Sequence, residues 1–226
     1  MTKRSAALLP ILDVYHDASS RSAAMNMAID EALLEATPNP CIRFYRWDHP
    51  ALSFGYFGKF SEVAEKERSR DLVRRWTGGG IVLHDTDLTY GLVIPVTRTA
   101  EVFSPLDIYR RIHSAVCDVF FEDGVNARLI EGVPPKVSDV CFASPVRADV
   151  VIDGKKIAGA AQRRTRRGLL QQGSIRFEQL PENFADRFAG SLADTTRLLA
   201  LEAEVVQRAE EIAHQKYAQR SWLERC

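Results

Sequence analysis

Arg74-Arg75-Trp76-Thr77-Gly78-Gly79-Gly80-Ile81-Val82-Leu83-His84-Asp85 sets three consecutive glycines between an arginine pair and an apolar run. Three glycines cost backbone entropy and contribute no packing, so a folded chain keeps them where φ must be positive or a ligand must approach the backbone. Their N–H groups can face an oxyanion, and the arginines add fixed donors suited to carboxylate or phosphate. Ile81-Val82-Leu83 then reads as a buried strand that anchors the loop. Taken alone, three glycines fit a glycine-rich hairpin turn with solvated arginines better, so the neighbouring segments have to decide.

Outward from this loop the chain reads as interspersed helices and strands. Toward the N-terminus, Ser22 to Ala36 carries Met25, Ile29 and Leu33 at a spacing of four, with Asp30-Glu31 beside that stripe, and is expected to be a helix. Ile42 to Trp47, Ala51 to Gly55, Ile81 to His84 and Leu88 to Pro95 are rich in branched and aromatic residues and read as strands. Ser104-Pro105-Leu106-Asp107 combines an N-cap serine, a first-turn proline and an acid. It opens a helix with Ile108, Ile112, Val116 and Phe120 on its buried face and Gly124 as its stop. Asp153-Gly154 marks a tight hairpin between Arg147–Ile152 and Lys155–Ala160. Leu199 to Tyr217, with Leu201, Val205, Ala209 and Ile212 on one face, is the third expected helix. Without a regular βαβ alternation, the expected fold is α+β, a mixed and largely antiparallel sheet flanked by helices.

Composition narrows the function. The 226 residues suit one sizeable core, and no repeat or long linker divides them, so a single domain over 1–226 is expected. Lys plus Arg and Asp plus Glu are both 30, which leaves no broad basic footprint for nucleic acid. No apolar run is long enough to span a bilayer and no signal-peptide core follows the first residues, so no membrane partner and a cytoplasmic location are expected. Cys41, Cys117, Cys141 and Cys226 form no C-x-x-C pair and the histidines have no ligand spacing, so neither a metal site nor a disulfide framework is expected.

Chemistry concentrates near the hairpin. Lys156 starts the return strand, and strict alternation places Ala158 and Ala160 on its face, with Lys155 on the other, solvated side. Gly159 and Ala160-Ala161 waste packing in a strand unless something approaches the backbone there. Lys156 is therefore a candidate for holding an acyl carbonyl or a phosphate. Cys141, in Val-Cys-Phe-Ala-Ser-Pro, is the cysteine of chemical interest, because a nearby ammonium would favour its thiolate. Cys117 falls within a helix and reads as packing. His84 and Asp85, adjacent on a strand, point to opposite faces and cannot act as a dyad, so His84 reads as a pocket or loop-positioning residue.

Met25–Glu31, Pro50–Tyr56, Arg74–Asp85 and Gly154–Gln162 occur together, in the order typical of the biotin/lipoate protein ligase catalytic-domain family. Over about Asp13 to Ile175 the chain resembles its lipoate-protein ligase A and octanoyltransferase branch. The resemblance implies a pocket in which Arg74, Arg75, Gly78, Gly79, Gly80, His84, Gly159 and Ala160 surround a C8 acyl group and Lys156 holds it.

Two chemistries occur on that scaffold. Cysteine-type octanoyltransferases take octanoate from acyl carrier protein, hold it as a thioester and pass it to a lysine of a lipoyl carrier domain, of the 2-oxoacid dehydrogenase E2 or glycine cleavage H protein type. This route needs no cofactor. Lipoate-protein ligases use ATP and magnesium to make lipoyl-AMP first. Cys141-Phe142, Leu88-Thr89-Tyr90 and Leu170–Ile175 resemble the transferases, which makes Cys141 the implied nucleophile. Gly80 is typical of ligases, Gly91 stands where a serine is usual, and Gln172 replaces a histidine. The chain is expected to lack the C-terminal accessory domain of many ligases. Biotin ligation is disfavoured by the missing acceptor-loop sequence. An inactive carrier-binding subunit is the remaining reading, against which Lys156, the glycine loop and both arginines stand together.

Overall fold

The computed structural model describes residues 7–64, 69–96, 104–132 and 146–225. Along the chain run β1 (Leu9–His16), α1 (Ala23–Ala36), β2 (Cys41–Tyr45), β3 (Ala51–Phe54), β4 (Asp71–Arg74), β5 (Val82–His84), β6 (Leu88–Pro95), α2 (Pro105–Glu122) and β7 (Ala127–Leu129). They are followed by β8 (Val150–Ile152), β9 (Lys155–Arg164), β10 (Gly168–Ile175), α3 (Phe184–Leu192), β11 (Ala193–Leu199), α4 (Ala203–Ile212) and α5 (Arg220–Leu223). The large sheet has the order β11-β1-β2-β6-β10-β9-β8-β7. Within this sheet only β1 pairs in parallel, with β11 and β2, so the mixed and largely antiparallel sheet expected from the sequence is what forms. A small second sheet, β4-β3-β5, stands beside it.

Alternation along β2 shows why the large sheet carries a core on each face. Ile42 and Phe44 enter the cluster with α2 and α3, whereas Cys41 and Tyr45 enter the one with α1 and α4. The α2 stripe, Ile108, Ile112, Val116 and Phe120, is at most 1% exposed, and Ser104 caps the helix by accepting from the Asp107 N–H at 3.1 Å. Cys117 packs against this core, and burial pushes its thiol up to about 12.

Helix α1 departs from a one-stripe reading. Ten of its fourteen residues are buried, Asn26, Asp30 and Glu31 among them, because the sheet and α4 enclose it. Its acids are consequently paired rather than solvated: Glu31 with Lys216 and Tyr217, Asp30 with Arg43 and Tyr45. The third expected helix begins at Ala203 instead of Leu199, since Leu199 closes β11, and it passes into a π-turn at Ala213–Tyr217. The Asp-Gly hairpin is as expected, with positive φ at Asp153 and Gly154.

Candidate active site

A cleft opens where the small sheet faces the large one. Ser53, Arg75, Gly79, Val82 and His84 form one wall; Lys156, Gly159–Ala161 and Gln172–Ser174 form the other, and Met27, Tyr45, Trp47 and Thr89 complete it. The sequence therefore brings Arg75, Gly79, His84, Lys156, Gly159 and Ala160 together.

Lys156 does not follow strict alternation. Val150 pairs with Ala158 but Val151 pairs with Lys156, a one-residue register slip that shifts Lys156 relative to the rest of β9. Its stem consequently lies over Gly159, where a Cβ would come within 2.5 Å of the lysine Cε, and not beside Ala158, which is sealed in the core. This corrects the expected neighbours and gives Gly159 a physical reason. Lys155, as expected, is exposed.

The ammonium of Lys156 lies 2.8 Å from Asp149 Oδ2, with the lysine side chain 4% exposed and the aspartate 0%. Asp149 also accepts from Tyr109 Oη at 2.6 Å and from the Val146 N–H at 2.7 Å, and the Ala160 N–H donates to Tyr109 Oη at 2.9 Å. Three elements thus hold one carboxylate against one buried cation. Beside it His113 donates from Nδ1 to Ala148 O at 2.7 Å, while its buried Nε2 has no partner among the described residues; burial pushes the imidazole down to about 4. Sequence reading missed Asp149, whose role depends on folding rather than on any motif.

The arginine pair divides. Arg75 Nη1 donates to Ser53 Oγ at 2.6 Å, and its Nη2 to the carbonyls of Gly78 and Gly80 at 3.1 and 2.8 Å. The loop thereby turns carbonyls toward Arg75, and of the three glycines Gly79, at φ +84°, lines the cleft. Arg74 is not a cleft wall. Buried over the Phe54 ring, it donates to the carbonyls of Tyr56, Gly58, Trp222, Leu223 and Arg225, fixing the last helical turn to the loop after β3.

His84 is stacked on Trp47 with ring centroids 4.0 Å apart. Its Nε2 is 2.7 Å from Ser53 Oγ and its Nδ1 is 2.8 Å from Asp87 Oδ2. Asp87 Oδ2 also accepts from Thr89 Oγ1 at 3.0 Å and from Ser174 Oγ at 2.5 Å, and Thr89 accepts from Trp47 Nε1 at 2.9 Å. Burial lowers the His84 pKa; burial alone would raise that of Asp87, but the bonds from His84, Ser174 and Thr89 hold it below the usual carboxylate range. The expectation that His84 and Asp85 do not act together holds, since Asp85 pairs outward with Arg70. The partner three residues on, Asp87, was missed.

Gly91 and Gln172, the unusual positions, are linked through Asp30. A Cβ at Gly91 would meet the Asp30 carboxylate at 2.5 Å, and Gln172 donates to Asp30 Oδ2 at 2.8 Å while accepting from Thr77 Oγ1. Cys141 and Cys226 lie outside the described residues. Among the described residues no group of His, Cys, Asp and Glu could hold a metal ion, and no helix is long and apolar enough to cross a membrane.

Comparison with known proteins adds to this geometry. The family described as "Lipoyl protein ligase A/B catalytic domain" matches residues 22–206. Octanoyltransferase LipM of Brevibacillus brevis is 38% identical over 170 residues, 68% of this chain and 62% of that protein. LipM of Oceanobacillus iheyensis is 38% identical over 177 residues, 74% and 65% respectively, and that of Staphylococcus aureus is 36% identical over 172 residues, 69% and 62%. The chain thus spans a little under two thirds of the length of these relatives. Among solved structures, a putative lipoate protein ligase from T. acidophilum superposes with a TM-score of 0.76 at 20% identity, covering 96% of this chain and 99% of that one. A lipoate-protein ligase A bound with ATP gives 0.72 at 21%, covering 96% and 98%. At these identities the structural likeness speaks for the fold.

Proposed function

The chain belongs to the lipoyl protein ligase A/B catalytic-domain family, and we propose that it transfers an octanoyl group from acyl carrier protein to a specific lysine of a lipoyl carrier domain. In this reading the thiolate of Cys141 attacks the carbonyl carbon of the octanoyl thioester. The new C–S bond forms as the old one breaks, and the donor's sulfur leaves and takes up a proton. The carrier lysine then attacks the enzyme-bound thioester, forming the amide and freeing Cys141.

The observation that carries the reading is the buried Lys156 ammonium opening on the cleft. Asp149 compensates its charge and Gly159 leaves room for its stem, so it stands fixed where a carbonyl oxygen could gain negative charge. Arg75 and Gly79 would shape the wall along the acyl chain. The 36–38% identity to octanoyltransferases favours this donor over free lipoate.

Gly80, the residue typical of ligases, supports a second reading, in which ATP and magnesium enter as co-substrates and lipoyl-AMP replaces the enzyme thioester. One experiment separates them: the intact mass of a lipoyl domain incubated with enzyme and octanoyl-acyl carrier protein, or with lipoate, ATP and magnesium. An octanoyl increment in the first mixture alone is the expected result. A lipoyl increment in the second alone would install the ligase, and no increment in either would leave the carrier-binding subunit. A cytoplasmic location is part of this reading; among the described residues no helix is long and apolar enough to cross a membrane.

A further inference from the structure

Amine acylation leaves protons to be removed, and Lys156, a cation bound to Asp149, is not the group to take them. The carrier lysine arrives as an ammonium, its ordinary pKa being about 10.4, and must become neutral before it can attack. A base with access to the cleft is needed.

The hydrogen-bond chain at the opposite wall has one consistent set of protons. Arg75 can only donate, so Ser53 Oγ accepts from it. Asp87, ionised, only accepts, so His84 carries its proton on Nδ1. Burial keeps His84 neutral, which leaves Nε2 bare and able to accept the Ser53 hydroxyl proton at 2.7 Å. Thr89 and Ser174 spend their protons on Asp87 as well, and Trp47 fixes the ring plane. Ser53 and His84 both line the cleft that Lys156 lines. His84 is thus a neutral imidazole at the cleft with its free nitrogen addressed by a hydroxyl, the arrangement that moves a proton inward.

We propose that Ser53, His84 and Asp87 form the proton relay that deprotonates the carrier lysine. The ammonium gives one proton to Ser53 Oγ while the Ser53 hydroxyl proton passes to His84 Nε2, and Asp87 stabilises the resulting imidazolium. The neutral amine then attacks the acyl carbonyl. The C–N bond forms, the bond to the leaving group breaks, the second amine proton goes to that leaving group, and His84 returns its proton to solvent. The charged groups around His84 are Asp87 in the connection from β5 to β6, Arg75 beyond β4, Arg70 at its carbonyl oxygen and Arg176 after β10. The two arginines that act on the ring oppose a resting imidazolium, and Asp87 favours the transient one.

This inference rests on acyl transfer to a carrier lysine but not on which donor supplies the acyl group. The test is the pH dependence of single-turnover transfer to a lipoyl domain, started from octanoyl-enzyme or, separately, from supplied lipoyl-AMP. With the relay, removing one amine proton and placing it on His84 leaves the overall proton count unchanged, so the wild-type rate should be flat from roughly pH 7 to 9. Ser53→Ala should fall by about 10²-fold or more at neutral pH and climb about tenfold per pH unit, following the free amine. Asp87→Asn, which donates to Nδ1 and forces the proton to Nε2, should behave likewise. A wild-type rate that itself climbs tenfold per unit would overturn the relay, as would a flat profile in either folded variant. Nitrogen NMR of His84 in the wild-type protein provides an activity-independent check. Nδ1–H with bare Nε2 is expected, and the opposite tautomer sinks the proposal even if transfer occurs. No transfer from either donor, with the expected tautomer present, would count against the proposed function instead.

Discussion

Lys156 Nζ and Asp149 Oδ2 lie 2.8 Å apart with their side chains buried, so that each charge is compensated by the other. Removing the cation leaves a buried carboxylate uncompensated, which typically costs about 3–5 kcal/mol. Lys156→Ala should therefore unfold at distinctly lower urea, and adding Asp149→Asn should restore most of that loss. Activity should not return with stability: transfer is expected to stay down by about 10²- to 10³-fold in both, whereas Lys155→Ala stays near wild type. Equal rates for the Lys155 and Lys156 variants would remove Lys156 from the reaction.

The arginine pair makes a contrasting prediction. Arg74 holds five carbonyl oxygens, three of them in residues 222–225, so Arg74→Leu should cost at least about 2 kcal/mol. It should also speed hydrogen exchange at the last helical turn. In protein that remains folded, binding of an octanoyl ligand, followed by calorimetry, should be nearly unchanged. Arg75→Leu should do the reverse, since Arg75 ties Gly78 and Gly80 to the Ser53 wall. Loss of ligand affinity in Arg74→Leu alone would return that residue to the cleft.

Much of this was legible in the sequence, and the failures have physical causes. Ser104-Pro105 and the stripe from Ile108 to Phe120 announced α2, and Asp153-Gly154 its hairpin, because capping and turn chemistry are local. Strand β11, Ala-Asp-Thr-Thr-Arg-Leu-Leu, has no such signature: it is an edge strand, mostly exposed, formed only because β1 offers it a parallel partner from far along the chain. Local periodicity likewise misjudged Lys156, since a register slip moves its side chain relative to its neighbours. Asp149 and Asp87 carry no motif at all. The first follows Ala148, a non-glycine residue at φ +69°, and the second lies three residues beyond His84, across a turn that sequence alone does not shape.

His113 gives the chain a pH-dependent stability. Its folded pKa, about 4, lies below the ordinary 6.5, because the ring is buried, with Nε2 unpartnered among the described residues. The unfolded chain therefore binds the extra proton first. Stability is fully present above about pH 6.5 and is lost as pH falls toward 4, by an amount on the order of 3 kcal/mol for the two and a half pH units. Urea unfolding at several pH values should show this slope in the wild-type protein and a shallower one in His113→Gln. Identical slopes would mean that other groups control the acid limb.

Cys141 distinguishes the two chemistries. In the proposed transferase route the octanoyl group passes through an enzyme thioester, an exchange between sulfurs that is nearly balanced energetically and needs no ATP. Incubation with octanoyl-acyl carrier protein alone should then add one octanoyl mass to the protein, removable by neutral hydroxylamine and absent from Cys141→Ala. Lys156→Ala should form the same adduct far more slowly, since the ammonium would both favour the thiolate and meet the developing oxyanion. A ligase has no use for the thiol: it would carry no adduct, would depend on ATP, and would keep lipoate transfer in Cys141→Ala. That last result would reassign the donor while leaving Lys156, Asp149 and the Ser53–His84–Asp87 wall in their places, since an adenylate presents the same carbonyl to the same carrier amine.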